Sequence, residues 1–314
     1  MENKIIKILK QNHLYDETRA LKIRDCNKLS KFLDTYKINH TNKQKLPNNI
    51  TRDENGRIIL DEIPFIPSNK KVDGRHKNTW IILNNGTKLF IKNDRKHYYN
   101  DCELIIMYFL KSLNINCANY DIATFKNNEL LISPSFLRNG EEIIKPFEEI
   151  PKLNEGYETL KAHNSEIHFL KTCFADRIYG NIDRFPLNFG IITGGKICNR
   201  NAQDRICPLF DNFDDNSTFF REEKYGFFPY LDKNILSCNE FINYLLEYEE
   251  IMHWVNGPLR ETNLYNVVQK LCKEKNIYVD DETYSKFQNF FKDSETIINE
   301  ELKNKGKSLK IKLT

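Results

Sequence analysis

The sequence has no long apolar run, and this absence removes one class of protein at the outset. No stretch approaches the ~20 consecutive apolar residues that a transmembrane helix needs. Residues 1–8 are too polar, and their apolar run is too short, for a secretory signal peptide. We therefore expect a cytoplasmic protein with no membrane partner.

Neither sign of charge is in large excess. Lys and Arg number 47 and Asp and Glu 44, which gives a formal net charge of +3. Proteins that bind nucleic acid through electrostatics carry a clear excess of basic residues, so nucleic acid is not an expected partner.

The 314 residues are long enough to bury a large core, and a two-lobed domain with a short appendage is the expected organisation.

Paired cysteine motifs are also missing. None of the eight cysteines forms a C-x-x-C motif, and Cys198 and Cys207, although close, lack a second ligand pair for zinc. Most cysteines lie within apolar patterns, which is typical of reduced, buried thiols. His163 and His168 are five residues apart on a predicted helix, which puts them off one face and argues against a paired metal site.

The segment of residues 179–190 carries the strongest functional signal. It places an acid, Asp183, five residues before an amide, Asn188, and a second acid, Asp211, follows a strand-like run. In kinases one Asp faces the attacking hydroxyl, an Asn just downstream holds a metal, and a second Asp binds Mg²⁺. Asp183 and Asn188 by themselves would also suit a surface turn rich in Asp and Asn. That alternative stays open at this point.

The flanking sequence favours the catalytic alternative. Residues 157–179 carry an apolar stripe at helical spacing, and Gly180 sits where a C-terminal cap belongs. Strand-like runs at residues 189–192 and 196–198 flank a Thr-Gly-Gly sequence that is typical of a hairpin turn. A third strand-like run, residues 206–210, leads to Asp211. The order of helix, acid-bearing loop, strand, turn, strand and acid is that of a kinase C-lobe.

At these residues the chain resembles the HipA-like serine/threonine kinases, a bacterial family distantly related to the eukaryotic protein kinases. The family's catalytic loop, Gly-Asn-x-Asp-Arg-His-x-x-Asn-Phe, and its Pro-Leu-Phe/Tyr-Asp metal segment are matched by Gly180, Asn181, Asp183, Arg184, Asn188 and Phe189 and by Pro208, Leu209, Phe210 and Asp211. Phe185 departs from the pattern, where His is common. The resemblance covers residues 65–300. It implies an α+β, two-lobed protein-kinase-like fold with a β-rich N-lobe and a mainly helical C-lobe.

The N-terminal half independently predicts a nucleotide-binding lobe. Thr79–Leu83 and Lys88–Lys92 are β-rich runs around an Asn-Gly turn, and Lys92 ends the second run. A helix predicted at residues 99–113 carries Glu103 near its start. In kinases, a strand Lys and a helix Glu form the ion pair that orients the lysine onto the ATP phosphates. The alternatives are a surface lysine at a strand end and an acid favoured by the helix dipole.

The phosphate-covering loop has no familiar glycine motif. Neither G-x-G-x-x-G nor G-x-x-x-x-G-K-[ST] occurs, and the basic stretch of residues 68–78 contains a single glycine, Gly74. By resemblance, Gly74 and its neighbours are the candidates to cradle phosphates; a solvated basic loop is the alternative. A hairpin is predicted from residues 119–125 and 130–133 with its turn at 126–128, and the resemblance places the hinge between lobes at 133–136.

Four segments follow from pattern and resemblance together: a helical extension over residues 1–60, the kinase N-lobe over 61–136, the C-lobe over 137–303 and a basic tail over 304–314. Within the C-lobe, 137–156 is predicted as a linker and 237–250, 259–274 and 281–303 as helices. The tail is expected to fray. Residues 1–45 would either pack on the kinase lobe as a strap or contact a regulatory partner.

The resemblance implies an ATP- and Mg²⁺-dependent protein kinase that phosphorylates Ser/Thr hydroxyls of a protein substrate, with self-phosphorylation left open. Asp183 would be catalytic, Asn188 and Asp211 would hold the metal, and Lys92, Glu103 and Gly74 would join them around ATP. Two alternatives remain. A lipid or small-molecule kinase would carry a similar loop, but the chain is small and lacks membrane-binding features. A catalytically weak binding module would not need so complete a set of groups.

Overall fold

The computed structural model describes residues 46, 50–68, 78–84, 86–92, 97–137, 141–144, 153–181, 189–194, 205–210 and 238–314. The chain divides into two units. The first takes its described residues from Met1–Asn100 and Asn119–Asn139, and the second from Asp101–Ala118 and Gly140–Thr314. Within these described ranges, no helix is both long and apolar enough to cross a membrane.

The first unit is built on a six-stranded sheet with the order β1-β5-β6-β4-β3-β2. Its strands are β1 (Ile58–Ile59), β2 (Phe65–Pro67), β3 (Thr79–Leu83), β4 (Lys88–Lys92), β5 (Asp121–Phe125) and β6 (Asn128–Pro134). The hairpin of β3 and β4 has the predicted bounds. Gly86 in its turn has a φ of 84°, a conformation that glycine adopts without steric cost.

The second hairpin turns more tightly than the sequence predicts. Lys126 and Asn127 have φ angles of 50° and 62°, as in a two-residue type I′ turn. Phe125 consequently lies opposite Asn128, and β6 begins at Asn128, two residues before the predicted start at 130.

One face of the six-stranded sheet carries the apolar core of this unit. The cluster consists of Ile58, Leu60, Ile81, Leu83, Leu89, Ile91, Ala123, Leu130 and Ile132. Because side chains alternate along a strand, the residues between these apolar positions lie on the opposite face. That opposite face also carries buried apolar residues, Ile82, Ile122 and Leu131, together with the buried Lys92.

The prediction of a helical extension over residues 1–60 is wrong at its C-terminal end. β1 pairs in parallel with β5, and Ile58 is fully buried. The Arg57 guanidinium lies 3.1 Å from the buried carboxylate of Glu129. A two-residue strand is too short for any periodicity to be recognised. The helices predicted within residues 1–45 lie outside the described part of the chain.

The helix predicted at residues 99–113 is present as α1 (His97–Ser112), which belongs to the second unit from Asp101 onward. Ile105, Ile106 and Phe109 on this helix are fully buried, as the helical spacing predicts.

The second unit contains a three-stranded antiparallel sheet with β8 (Ile191–Gly194) between β7 (Glu141–Ile144) and β9 (Arg205–Ile206). The prediction of a linker over residues 137–156 is wrong at β7 and at helix α2 (Leu153–Ala162). β7 is short, begins with two glutamates and pairs with a strand far along the chain, so local sequence does not reveal it. The strand predicted at 196–198 lies outside the described residues.

The helix predicted at residues 157–179 is two helices, α2 and α3 (Glu166–Tyr179). Asn164 between them has a φ of 52°, in the left-handed region that ends α2. Leu160 and Leu170 are both fully buried, so the apolar stripe continues through the break and conceals it. Gly180 caps α3 with a φ of 77°, which confirms the predicted cap.

The remaining helices are α4 (Cys238–Leu245), α5 (Glu249–Trp254), α6 (Leu264–Lys275) and α7 (Asp281–Asn304). The helices predicted at 237–250, 259–274 and 281–303 correspond to α4, α6 and α7. Most of α5 and the π-helical turn Val255–Leu259 that follows it were not predicted, because Gly257 and Pro258 resemble a break in the sequence.

The prediction that the basic tail frays is wrong. Ile311 and Leu313 are fully buried. The side chain of Asn299 on α7 accepts from the Ile311 N–H at 2.8 Å and donates to the Ile311 carbonyl at 3.0 Å. The Leu313 carbonyl accepts from the Leu264 N–H at 2.8 Å. The alternation of lysines with apolar residues gives the tail one exposed and one buried side.

Candidate active site

Lys92 is the last residue of β4 and lies on the sheet face opposite the apolar core, because Ile91 belongs to that core. Lys92 is only 6% exposed. On the same face, Phe90 contacts Trp80 of β3, with the ring centroids 5.2 Å apart. Lys92 is thus a buried cation on a face that also presents two half-buried aromatic rings. The alternative of a solvated lysine at a strand end does not hold.

Glu103 lies in the second turn of α1 and is 1% exposed. An acid selected only for the helix dipole would be expected at the surface, where the dipole effect is usually measured. Lys92 belongs to the first unit and Glu103 to the second. Their ion pair therefore stays a prediction.

The start of the predicted catalytic loop is held by a buried polar network at the end of α3. The Asp176 carboxylate accepts hydrogen bonds from the Tyr179 hydroxyl and, at 3.2 Å, from the Asn181 side-chain amide. The Asn181 backbone N–H also donates to the Asp176 carbonyl at 2.8 Å. Asp176 and Asn181 are 2% and 4% exposed. The network holds the backbone and side chain of Asn181 at the end of α3.

Helix α7 packs against the same point. The Ser294 hydroxyl contacts the carbonyls of Arg177 and Ile178, each at 3.3 Å, at the end of α3 where carbonyls lack helical partners. A Cβ placed on Gly180 would lie 2.7 Å from ring carbons of Phe290. Gly180 is therefore required both by its left-handed backbone and by this close approach.

Asp183 and Asn188 lie outside the described residues. The chain is described again at Phe189, which is 1% exposed and packs edge-on against Phe169 of α3 at 5.0 Å. Gly190 follows, and its carbonyl accepts from the Cys207 N–H at 2.9 Å. The chain that enters β8 after Asn188 is therefore adjacent to the chain that leaves β9 toward Asp211.

The segment before Asp211 is also hydrogen-bonded on its other side. Leu209 donates to the Asn116 carbonyl at 3.0 Å and accepts from the Ala118 N–H at 2.7 Å. These bonds surround the parallel bridge between Cys117 and Leu209. Residues 116–118, which follow α1, were not expected near the site from the sequence. Asp211 itself lies outside the described residues.

Cys117, which forms the bridge with Leu209, also lies close enough to Glu103 of α1 to be affected by its charge. Burial raises the pKa of the Cys117 thiol to about 12, and the nearby Glu103 carboxylate raises it further while Lys111 lowers it. The thiol is therefore protonated at neutral pH and acts as a small apolar group. Glu103, Cys117 and Leu209 thus lie in one neighbourhood of the second unit.

Gly74, which the resemblance makes a candidate to cradle phosphates, lies outside the described residues. Among the residues that are described, no group of three His, Cys, Asp or Glu side chains could hold a metal ion. Burial lowers the pKa of His168 to about 4, so its imidazole is neutral at pH 7, and its buried Nε2 has no hydrogen-bond partner.

Sequence comparison finds no matching family model and no matching curated protein. Comparison of the structure finds the proinflammatory kinase CtkA of Helicobacter pylori, with a TM-score of 0.52 at 13% identity, over 81% of this chain and 99% of that one. HipA of Shewanella oneidensis MR-1, from a complex with HipB and operator DNA, is similar over 91% of this chain and 72% of that one, with a TM-score of 0.48 at 13% identity.

The similarity to CtkA shows the fold of the chain. A mixed sheet occupies the N-terminal half and helices dominate the C-terminal half, as in a kinase-like fold. The kinase-like fold class that the sequence resemblance implied is confirmed by this similarity.

Proposed function

We propose that this protein is a kinase that transfers the γ-phosphoryl group of ATP, with Mg²⁺, to Ser/Thr hydroxyls of a protein substrate. The observation that carries the proposal is the hydrogen bond between the Gly190 carbonyl and the Cys207 N–H within a kinase-like fold. It sets the chain just after Asn188 beside the chain just before Asp211. The Asn188 amide and the Asp211 carboxylate, which are far apart in sequence, would thereby come close together.

The donor set suits Mg²⁺, which prefers a few protein oxygens and leaves its other positions to phosphates and water. Asn188 and Asp211 would supply an amide oxygen and a carboxylate oxygen. When bound, the metal would neutralise charge on the β- and γ-phosphates. Asp183, at the loop whose start Asp176 and Asn181 hold, would accept the proton of the acceptor hydroxyl.

Lys92 supports the nucleotide-binding part of the proposal. A buried ammonium is costly unless a negative group compensates it, and Glu103 and the ATP phosphates would provide that charge. Lys92 shares its sheet face with two half-buried aromatic rings, which would give a base and its phosphates apolar and cationic surfaces side by side. Gly74 and its basic neighbours would close over the phosphates.

The test is a phosphotransfer assay with γ-labelled ATP on wild type and Asp183→Asn. We expect the rate to fall by about 10²-fold or more, because proton acceptance and orientation of the hydroxyl are lost together. ATP affinity by calorimetry should change little. Asp293→Asn, an exposed substitution on α7, is the matched control and should keep the wild-type rate.

The same assay distinguishes the acceptor classes. Label on the protein itself, or on added protein acceptors, supports a protein kinase, and mass spectrometry of the labelled sites gives the hydroxyl preference. Label confined to added phosphoinositides would replace the protein substrate with a lipid. Full activity of Asp183→Asn would remove Asp183 from the chemistry.

A further inference from the structure

Glu129 of β6 is a buried carboxylate whose two oxygens are both engaged by other side chains. Its Oε2 lies 3.1 Å from Nη2 of Arg57, and its Oε1 accepts a hydrogen bond from Nδ2 of Asn100 at 3.3 Å. The Glu129 side chain is 7% exposed, and Asn100, in the first turn of α1, is 1% exposed. A buried carboxylate is costly unless a cation compensates it, and Arg57 supplies that charge from the position just before β1.

The strand register puts Glu129 on the same sheet face as Lys92. Lys92 lies opposite Leu131 in the antiparallel pairing of β4 with β6, and Glu129 is two residues from Leu131 on β6. Side chains two residues apart on a strand share a face, and a diagonal pair across neighbouring strands is within reach of long side chains. Arg57, Asn100, Glu129 and Lys92 all belong to the first unit.

Lys92 therefore lies between two different groups on this face. Phe90, two residues before it on β4, belongs to the half-buried aromatic pair that would contact the nucleotide base. Glu129 lies in the opposite direction from Lys92, because Phe90 pairs with Ser133 and Lys92 with Leu131 in the antiparallel register. The flexible side chain of Lys92 can thus reach toward the aromatic side or toward Glu129.

We infer that Arg57 and Asn100 are positioning residues for nucleotide binding, because they engage the Glu129 carboxylate and leave the Lys92 ammonium to the phosphates of ATP. The inference rests on the proposed function, in which Lys92 binds those phosphates. Without Arg57, the Glu129 carboxylate would be a buried charge that has lost its cation, and it would attract Lys92. The phosphates would then have to displace a carboxylate from Lys92 in order to bind.

The experiment compares two ligands, so that an effect through Lys92 can be distinguished from a general loss of structure. Calorimetry gives the Kd of a non-hydrolysable ATP analogue, which presents phosphates to Lys92, and the Kd of adenosine, which has no phosphates. Both are measured on wild type, Arg57→Gln, Asn100→Leu, Glu129→Gln and the double variant Arg57→Gln with Glu129→Gln.

Arg57→Gln should raise the Kd of the analogue by about tenfold, the effect of losing one hydrogen bond to a charged group, and leave the Kd of adenosine unchanged. Asn100→Leu should give a smaller rise, because Arg57 still compensates the carboxylate. The double variant should restore the wild-type Kd, because no carboxylate remains to compete for Lys92. Glu129→Gln alone should bind the analogue at least as tightly as wild type for the same reason.

Arg52→Gln is the matched control. Nη2 of Arg52 lies 2.9 Å from Oδ2 of Asp121, and the exposures of these side chains, 37% and 7%, nearly equal the 34% and 7% of Arg57 and Glu129. Asp121 lies opposite Ile132 of the apolar core, so its side chain is on the other face of the same sheet. Arg52→Gln should lower the melting temperature by a similar amount and leave both Kd values unchanged.

Three results would overturn the inference alone: an unchanged analogue Kd or an equal rise for both ligands in Arg57→Gln, a double variant that binds as weakly as Arg57→Gln, or weaker binding by Glu129→Gln than by wild type. If the analogue does not bind wild type, or binds Lys92→Ala with the wild-type Kd, the nucleotide-binding part of the proposed function fails and the inference fails with it. Should Arg57→Gln not fold, Asn100→Leu with and without Glu129→Gln decides the question, since its smaller rise in Kd must disappear when the carboxylate is removed.

Discussion

At position 190 even a methyl group would collide with its surroundings. A Cβ there would lie 2.4 Å from Cγ2 of Ile143 and 3.1 Å from the Ile144 carbonyl oxygen. We expect Gly190→Ala to destabilise the fold by about 1–3 kcal/mol, the usual cost of overpacking. It should also lower phosphotransfer, because the chain between Asn188 and β8 must move. Denaturant unfolding and the γ-labelled ATP assay measure the two effects.

Gly257→Ala is the matched control, since no atom lies within 4 Å of the added Cβ. It should cost nothing or stabilise slightly, because alanine restricts the unfolded chain. Equal stabilities of the two variants would show that β7 does not pack on Gly190 as described.

Residues with a strong chemical signature could be predicted from the sequence, whereas their supporting partners could not. Lys92 and Glu103 were selected from strand and helix patterns, and both are buried. Asp176 was not selected, because an acid inside an amphipathic helix has no local feature that marks it as buried. Its partner Asn181 was quoted only as a family match, and its contact with Asp176 depends on the cap geometry at Gly180.

Among the elements, the C-terminal tail offers the sharpest test. Ile311 is fully buried and both of its backbone groups bond to Asn299. Ile311→Ala should therefore lower the free energy of unfolding by about 2–4 kcal/mol. Lys312→Ala, at an exposed position next to it, should stay within about 0.5 kcal/mol of wild type. Denaturant midpoints for the two variants provide the comparison, and coincident midpoints would mean that the tail is not docked.

Elements with local signals were predicted well, and elements defined by distant partners were not. The β3–β4 hairpin has an Asn-Gly turn between two β-rich runs, and α7 has apolar residues at helical spacing over a long stretch. The sequence alone therefore predicts both elements. β1 and β7 are short and acquire their strand structure from pairing with β5 and β8. The tail likewise depends on α6 and α7. Charge alone misled the prediction there, because lysines occupy only the exposed side.

For the whole molecule, the order of chemical groups along the chain was enough to predict the fold class. Acid, amide and acid in the C-terminal half, preceded by a strand lysine and a helix glutamate, predict a kinase-like fold, which the similarity to CtkA confirms. The break between α2 and α3 and the docking of residues 116–118 on Leu209 were not predicted, because they depend on packing between segments.

The last prediction concerns how the whole chain responds to its proposed ligands. A ligand that binds only the native state raises the free energy of unfolding, by about 2.7 kcal/mol at a concentration one hundred times its Kd. We therefore expect ATP with Mg²⁺ to raise the melting temperature of wild type, and EDTA to remove most of the rise.

Asp183→Asn should keep this rise in melting temperature, since Asp183 would face the hydroxyl acceptor. Lys92→Ala should lose most of it, because a phosphate partner is removed, and Asp211→Ala should lose its Mg²⁺-dependent part. Differential scanning calorimetry measures all four proteins. A rise of equal size in EDTA would show that nucleotide binds without the metal, and a rise retained by Lys92→Ala would place the phosphates elsewhere.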